Sequence, residues 1–398
     1  MTKSVVTTCP ALLAVYLIAF LQGLTLVSFP ASSTVLKQMH GISDAQYGAI
    51  FLPQLAFAVL GAVAGGTLAR RWGLQKLLWL TAAGNGLSQL ALAGSFWVAP
   101  LLAFPIILLG TALLGLSFGL SGAPLNSYPP QFFPRHAPTA VVALHTLIGL
   151  GLMVGPLLAT GFGKAGLWIG FPLLLLAVSA MLTLTAAAVR LPDVGSQPQD
   201  QVSANPPLSS GAFWMFAAIA VLYAFAEGTF GNWAVIYLSE VKQLPAEVAA
   251  LALSVFWGAM VAGRLLVAVL VARIAPLVIW LALPVLMAAV FLLLPAANTP
   301  TLGLGLFALA GLACSAFFPL TITLASARFP DQVAWVSSML IAALMVGVGL
   351  GSFVIGPLRQ WLSLEQIYQL STLYPVLAIG LAGWLAVSQR RVAEQSGI

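Results

Sequence analysis

Twelve long apolar stretches, parted only by short polar or Gly/Pro breaks, run through this sequence and leave it few ways to fold in water. A bilayer core about 30 Å thick takes about 20 apolar residues as a helix. Helices are the natural form, because backbone groups in lipid must be paired within their own segment. The expected spans cover residues 11–35, 45–69, 76–98, 101–126, 137–162 and 166–189 in the first half. In the second half they cover 211–238, 246–271, 275–295, 301–327, 333–357 and 364–388. Only 6% of the 398 residues are charged and 61% are hydrophobic, whereas a soluble domain carries about 25% charged residues. The apolar surface must therefore face lipid, and the fold class is an all-α polytopic membrane protein. The first stretch reads as a spanning helix and not as a cleaved leader, because no small-residue cleavage site follows a short apolar core.

Charge placement orients the chain. With twelve spans, one side of the membrane holds Lys3, Arg70, Arg71, Lys76, Arg135, Arg190, Arg273, Arg328, Arg390 and Arg391. The other side holds Lys37, Lys164, Lys242 and Arg359, and Arg264 lies inside the eighth span. Basic residues collect in cytoplasmic loops, so both termini and the central linker are expected in the cytoplasm. The net charge of +6 is thus topological and does not point to nucleic acid. The two cysteines, Cys9 and Cys314, offer neither a disulfide framework nor a metal site.

An internal repeat divides the chain. The fourth span reads GLSFGLSGAPLNSYPPQFFP from Gly115 to Pro134, and the tenth reads GLACSAFFPLTITLASARFP from Gly311 to Pro330. Gly155-Pro156 in the fifth span matches Gly356-Pro357 in the eleventh. Ala19-Phe20-Leu21-Gln22-Gly23 matches Ala224-Phe225-Ala226-Glu227-Gly228, and all these offsets are close to 200 residues. The expected domains are a six-helix half over 1–189, a linker over 190–210 and a second six-helix half over 211–398. Two parallel halves are one known plan of secondary transporters. Close backbone contact between spans is expected at Gly61, Gly65 and Gly66, and at Gly347, Gly349 and Gly351. Pro129-Pro130 is expected to end or kink the fourth span.

Several segments resemble the major facilitator superfamily, and within it the fucose–galactose–glucose:proton symporter family and its relatives. The seventh span carries Tyr223, Glu227-Gly228 and Gly231-Asn232-Trp233, similar to that family's acidic-Gly-to-Trp pattern. The fifth carries His145, Gly149, Gly151 and Gly155-Pro156, and the tenth carries Phe318-Pro319. Asn126 stands where relatives often place an Asn. The resemblance implies two pseudo-symmetric six-helix halves in the cell inner membrane. It also implies symport of a sugar or sugar-like solute by alternating access. Two departures stand out. Arg70 occupies the acidic position of the loop pattern Gly66-Thr-Leu-Ala-Arg70-Arg71-Trp-Gly73, and no Asp or Glu lies inside spans one to six.

Few polar residues remain to carry chemistry. Of nine acidic residues, Glu227 alone falls near the middle of a span. An intramembrane carboxyl is a functional site by default, so Glu227 is the first candidate for a coupling proton. His145, with an ordinary pKa near neutrality, is the second; the competing reading is a hydrogen bond to a backbone carbonyl. Gln22, the repeat partner of Glu227, suits a polyol or amide solute or, equally, an interhelical hydrogen bond. Asn126, Asn232, Trp233 and Trp257 offer amides and aromatic faces to a ring-shaped solute, against a packing role. Arg264 is expected to tether helix ends or reach toward the cytoplasm, and with Arg70 and Arg71 it has a gating or structural role. No phosphate loop or nucleophile motif is present, so the chain is not expected to be an enzyme. No cofactor or metal is expected, the partners are a small solute and lipid, and the chain is expected to be a monomer. The alternative function is proton-coupled efflux of hydrophobic or drug-like compounds through an adaptable apolar cavity.

Overall fold

The computed structural model describes residues 9–192 and 207–395, and these are helical with short connections. The long helices are α1 (Cys9–Leu26), α2 (Phe51–Trp72), α3 (Leu74–Gly94), α4 (Pro100–Phe132), α5 (Ala137–Lys164) and α6 (Gly170–Ala188). They continue as α7 (Gly211–Ile236), α8 (Ala246–Leu270), α9 (Pro276–Leu293), α10 (Pro300–Cys314), α11 (Phe317–Arg328), α12 (Val333–Leu358) and α13 (Leu373–Gln395). Among the described residues, eleven helical segments are long and apolar enough to cross a membrane.

The expected third span is not among those eleven, although α3 is present as a 21-residue helix. Its polar residues account for this. Thr81, Asn85, Ser88 and Gln89 are fully buried and lie on one stripe of the helix. Asn85 Nδ2 donates to Gln22 Oε1 of α1 at 3.2 Å, and Gln89 Nε2 donates to Ser28 Oγ at 3.0 Å. Gln75 Nε2 donates to the carbonyls of Ala186 and Val189 at the end of α6, at 3.0 and 2.6 Å. The helix is polar because it is stitched to its neighbours, and its mean hydropathy falls accordingly.

The contacts divide the chain into two compact units, Met1–Pro198 and Gln199–Ile398. In the first, α1 packs on α5, α2 on α4, and α3 on α4 and α6. In the second, α7 packs on α12, α8 on α10, and α9 on α10 and α13. The pairing pattern repeats. Its contact points repeat as well, because glycines let backbones touch. A Cβ on Gly23 would lie 2.0 Å from the Ile148 carbonyl oxygen, and one on Gly151 would lie 2.2 Å from that of Phe20. Their counterparts in the second unit are Gly228 beside the Val348 carbonyl oxygen at 3.1 Å and Gly351 beside Phe225 Cα at 2.9 Å. Gly61 makes such a contact with Leu116, whereas Gly66 has nothing within 4 Å.

Proline acts differently in the expected fourth and tenth spans. Helix α4 runs through Pro105 and Pro124 and ends at Phe132, two residues past Pro129-Pro130. The expected tenth span is instead two helices, α10 and α11, parted at Ser315-Ala316. Pro319 has no N–H and its ring presses on the carbonyl of residue i−4, which is Ser315. The expected first span, residues 11–35, is likewise broken: α1 ends at Leu26, and the short helices Ser28–Ala31 and Ser33–His40 follow, the last running five residues past the expected end.

His40 closes that last piece. Ser95 Oγ donates to the Leu92 carbonyl at 2.8 Å, so it accepts from His40 Nε2–H at 3.2 Å. The imidazole edge meets Phe96, which stacks on Trp168 with ring centroids 4.7 Å apart. Burial lowers the His40 pKa below its ordinary 6.5. The unfolded chain therefore takes up this proton more readily than the folded one, and stability is lost as pH falls through and below 6.5. His40→Gln is expected to flatten that acid-side loss in a thermal-unfolding series. An unchanged pH slope would show that another group carries it.

Candidate functional site

Helix α7 holds most of the second unit's polar chemistry. Glu227 is partly buried. Tyr223 lies one turn earlier on the same face, and both its hydroxyl and the charge of Arg264 on α8 act on the Glu227 carboxyl. The Tyr223 hydroxyl donates to the Cys314 carbonyl at 2.9 Å. Arg264 Nε donates to the Ser315 carbonyl at 3.1 Å, and its Nη2 lies 3.3 Å from Met260 Sδ. Thus two side chains take the carbonyls left at the break between α10 and α11. The Ser315 carbonyl is the one that Pro319 deprives of a backbone donor. Arg264 is near enough to Glu227 to act on its charge, yet no ion pair joins them.

One turn further along α7, Asn232 Nδ2 donates to Ser352 Oγ of α12 at 2.7 Å. Trp233 Nε1 donates to the Ser352 carbonyl at 3.0 Å, and its ring is fully buried. These two candidates therefore meet at one serine and stitch α7 to α12. Trp257 on α8 is partly buried and packs edge-on to Phe256 at 5.0 Å. A Cβ on Gly231 would touch its ring at 3.2 Å, so the glycine lets the indole lie against α7 close to Glu227.

In the first unit, His145 and Asn126 meet, and both are exposed. Asn126 Nδ2 donates to the Gly122 carbonyl at 2.8 Å, which turns its Oδ1 outward as an acceptor. His145 Nε2–H donates to that oxygen at 3.0 Å. Gln22 is fully buried and bonded to Asn85. Arg70 and Arg71 are exposed at the end of α2, where Arg70 Nη2 lies 3.4 Å from Thr67 Oγ1.

The sequence reading missed Tyr223 as a partner of Glu227, although its spacing of four residues was a signal. It also missed Asn85, Gln89, Ser315 and Ser352. Pro319 was the available pointer to Ser315, because it orphans that carbonyl. Nothing local marked Ser352. One cleft of about 430 Å³ lies in the first unit, lined by Leu12, Tyr16, Phe133, His136, Thr139 and Ala140 among others. Tyr16 donates to the Ala140 carbonyl at its edge, at 3.0 Å. No group of His, Cys, Asp or Glu suited to a metal occurs among the described residues.

Comparison with known proteins gives three findings. The family model described as Major Facilitator Superfamily matches residues 12–332. The 3-(3-hydroxy-phenyl)propionate transporter of Escherichia coli (strain K12) is 26% identical over 278 residues, 66% of this chain. That match covers 64% of the relative, just under two thirds of its length. In fold, the chain is similar to a variant of the nucleoside transporter NupG, with a TM-score of 0.77 and 16% identity over 94% of this chain and 99% of that one. It is also similar to a D-xylose-proton symporter, with a TM-score of 0.73 and 15% identity over 94% and 97% of the two chains.

Proposed function

The chain belongs to the Major Facilitator Superfamily, and from that premise we propose that it is a proton-coupled secondary transporter of a small polar, sugar-like solute. In this reading it has twelve spans, with α3 as the third, both termini in the cytoplasm and the inner membrane as its site. Solute crosses by alternating access, and Glu227 carries the coupling proton. Family membership already identifies a multi-pass membrane transporter and not an enzyme.

One observation carries the coupling: Glu227 is a carboxyl within a span, acted on by the Tyr223 hydroxyl and the charge of Arg264, but among the described residues it is held in no ion pair. Such a group can exchange a proton without first breaking a salt bridge. His145 takes a second place, because its Nε2–H is already committed to Asn126. Asn126 and Trp257, with exposed or partly exposed side chains, are the solute contacts. Gln22 in the first unit, and Asn232 and Trp233 in the second, are bonded to neighbouring helices of their own units and hold those helices in position. Names of related proteins support a polar solute: a nucleoside transporter and a xylose–proton symporter share the fold.

Uptake into proteoliposomes under an imposed proton gradient tests the reading. Glu227→Gln is expected to abolish gradient-driven accumulation while leaving exchange of bound solute measurable. Gradient-driven uptake that survives this change removes Glu227 from the coupling role.

A second reading has its own support. The cleft beside Tyr16 is lined almost wholly by apolar atoms, and the curated relative is named for an arylpropionate. Export of hydrophobic or aromatic compounds fits that lining. A screen of sugars, nucleosides and arylpropionates by thermal shift separates the two, since bound ligand raises apparent stability.

A further inference from the structure

The break between α10 and α11 is capped from two other helices. Two of the carbonyls left there, those of Cys314 and Ser315, are taken by Tyr223 of α7 and Arg264 of α8. The carbonyls left at a helix end are taken by side chains, water or backbone turns, and here one side-chain donor is a full positive charge. The same two side chains are the groups that act on Glu227. Cys314 feels the carboxylate in turn. Among the described residues, no titratable or charged side chain besides Tyr223, Arg264 and Cys314 is seen to act on Glu227: α12 carries none, and Tyr374 of α13 packs on Phe225. Glu227 and the helix break thus share a pair of donors.

We infer that Arg264 is a positioning residue which caps the Ser315 carbonyl when Glu227 is protonated and leaves it when Glu227 is charged. The inference rests on Glu227 exchanging a proton, as argued above. The step is a simple ionisation: the carboxyl O–H breaks, the proton goes to water and the carboxylate keeps the electron pair. A guanidinium meets a carboxylate as opposite full charges and can bond it through two parallel N–H donors, whereas a carbonyl offers neither the charge nor the fork. The new carboxylate therefore outcompetes a carbonyl for the same donors. Once Arg264 leaves, Ser315 cannot recover a helical hydrogen bond, because residue 319 is proline and has no N–H. The break then loosens. One proton would in this way set the stiffness of the segment that joins α10 to α11.

Cys314 sits at the break with a fully buried thiol and reports on it directly. The full chain carrying Cys9→Ser has this as its single cysteine. Its alkylation by a maleimide is followed in detergent at acid and alkaline pH. Each rate is divided by that of the same protein with Glu227→Gln at the same pH, which removes the intrinsic effect of pH on the thiol. The ratio is expected to rise about tenfold toward alkaline pH, the scale of one hydrogen bond to a charged group. Arg264→Gln keeps a donor without the charge and is expected to remove the rise. Pro319→Ala returns a backbone donor to Ser315 and is expected to keep labelling slow at both pH values. A ratio that stays flat with pH overturns the inference, as does a rise that persists in Arg264→Gln or Pro319→Ala. Loss of gradient-driven uptake in Glu227→Gln together with a flat ratio retains the coupling role and rejects the cap.

Discussion

Gly23→Ala is expected to lower the apparent unfolding temperature sharply, at a cost of about 3 kcal/mol, the upper end for overpacking in a core. The added methyl would stand 2.0 Å from the Ile148 carbonyl oxygen and 2.9 Å from Gly151 Cα. Both are backbone atoms, so no side chain can turn aside and α1 must move off α5. Alanine is otherwise the better helix former, by about 1 kcal/mol over glycine. The sign therefore depends on the neighbour. Gly122→Ala, with nothing within 4 Å, is expected to be neutral or stabilising. Gly311→Ala, 2.1 Å from the Phe256 carbonyl oxygen, should repeat the loss in the second unit. Unfolding of the purified variants in detergent, followed by intrinsic fluorescence, measures all three. Gly23→Ala unfolding at or above the parent temperature would contradict the close contact.

Trp233→Ala is expected to cost about 3–5 kcal/mol, as truncation of a buried aromatic does. The ring is fully buried and its N–H is spent on Ser352. Trp233→Phe keeps most of the packing and gives up the hydrogen bond, about 1 kcal/mol. The order parent, Phe, Ala in unfolding temperature is the result a packing residue gives. If Trp233→Ala unfolds with the parent and only its solute affinity falls, the indole belongs to the binding surface.

How far the sequence led depends on the kind of signal. Eleven of the expected spans were legible because apolar length is a local property, and the repeat was legible because equivalent residues keep equivalent spacing. The Gln22–Glu227 correspondence even located equivalent contacts, since the glycine after each lies against a partner helix. The split of the tenth span was less legible. Pro319 was visible, yet α4 runs through Pro105 and Pro124 without a break. Whether a proline breaks a helix depends on what can take the freed carbonyl, and Arg264 comes from another helix. Hydrogen-bond partners such as Asn85 for Gln22 and Ser352 for Trp233 were hidden for the same reason. They lie tens of residues or more away in sequence, and composition does not choose among the many serines and amides. Side-chain charge was read correctly as scarce. Its arrangement, with Arg264 on a carbonyl beside Glu227, needed three dimensions.

The buried polar stripe of α3 bears on how the chain is made. A nascent segment enters the bilayer by partitioning, and Asn, Gln and Lys weigh against that step. Helix α3 carries Gln75, Lys76, Asn85 and Gln89 within its 21 residues. Two of its amides bond to Gln22 of α1 and to Ser28 just beyond it, both synthesised earlier. Insertion of α3 is thus a cooperative event. It should stay in the membrane when α1 is already there to receive it and fail when it is presented alone.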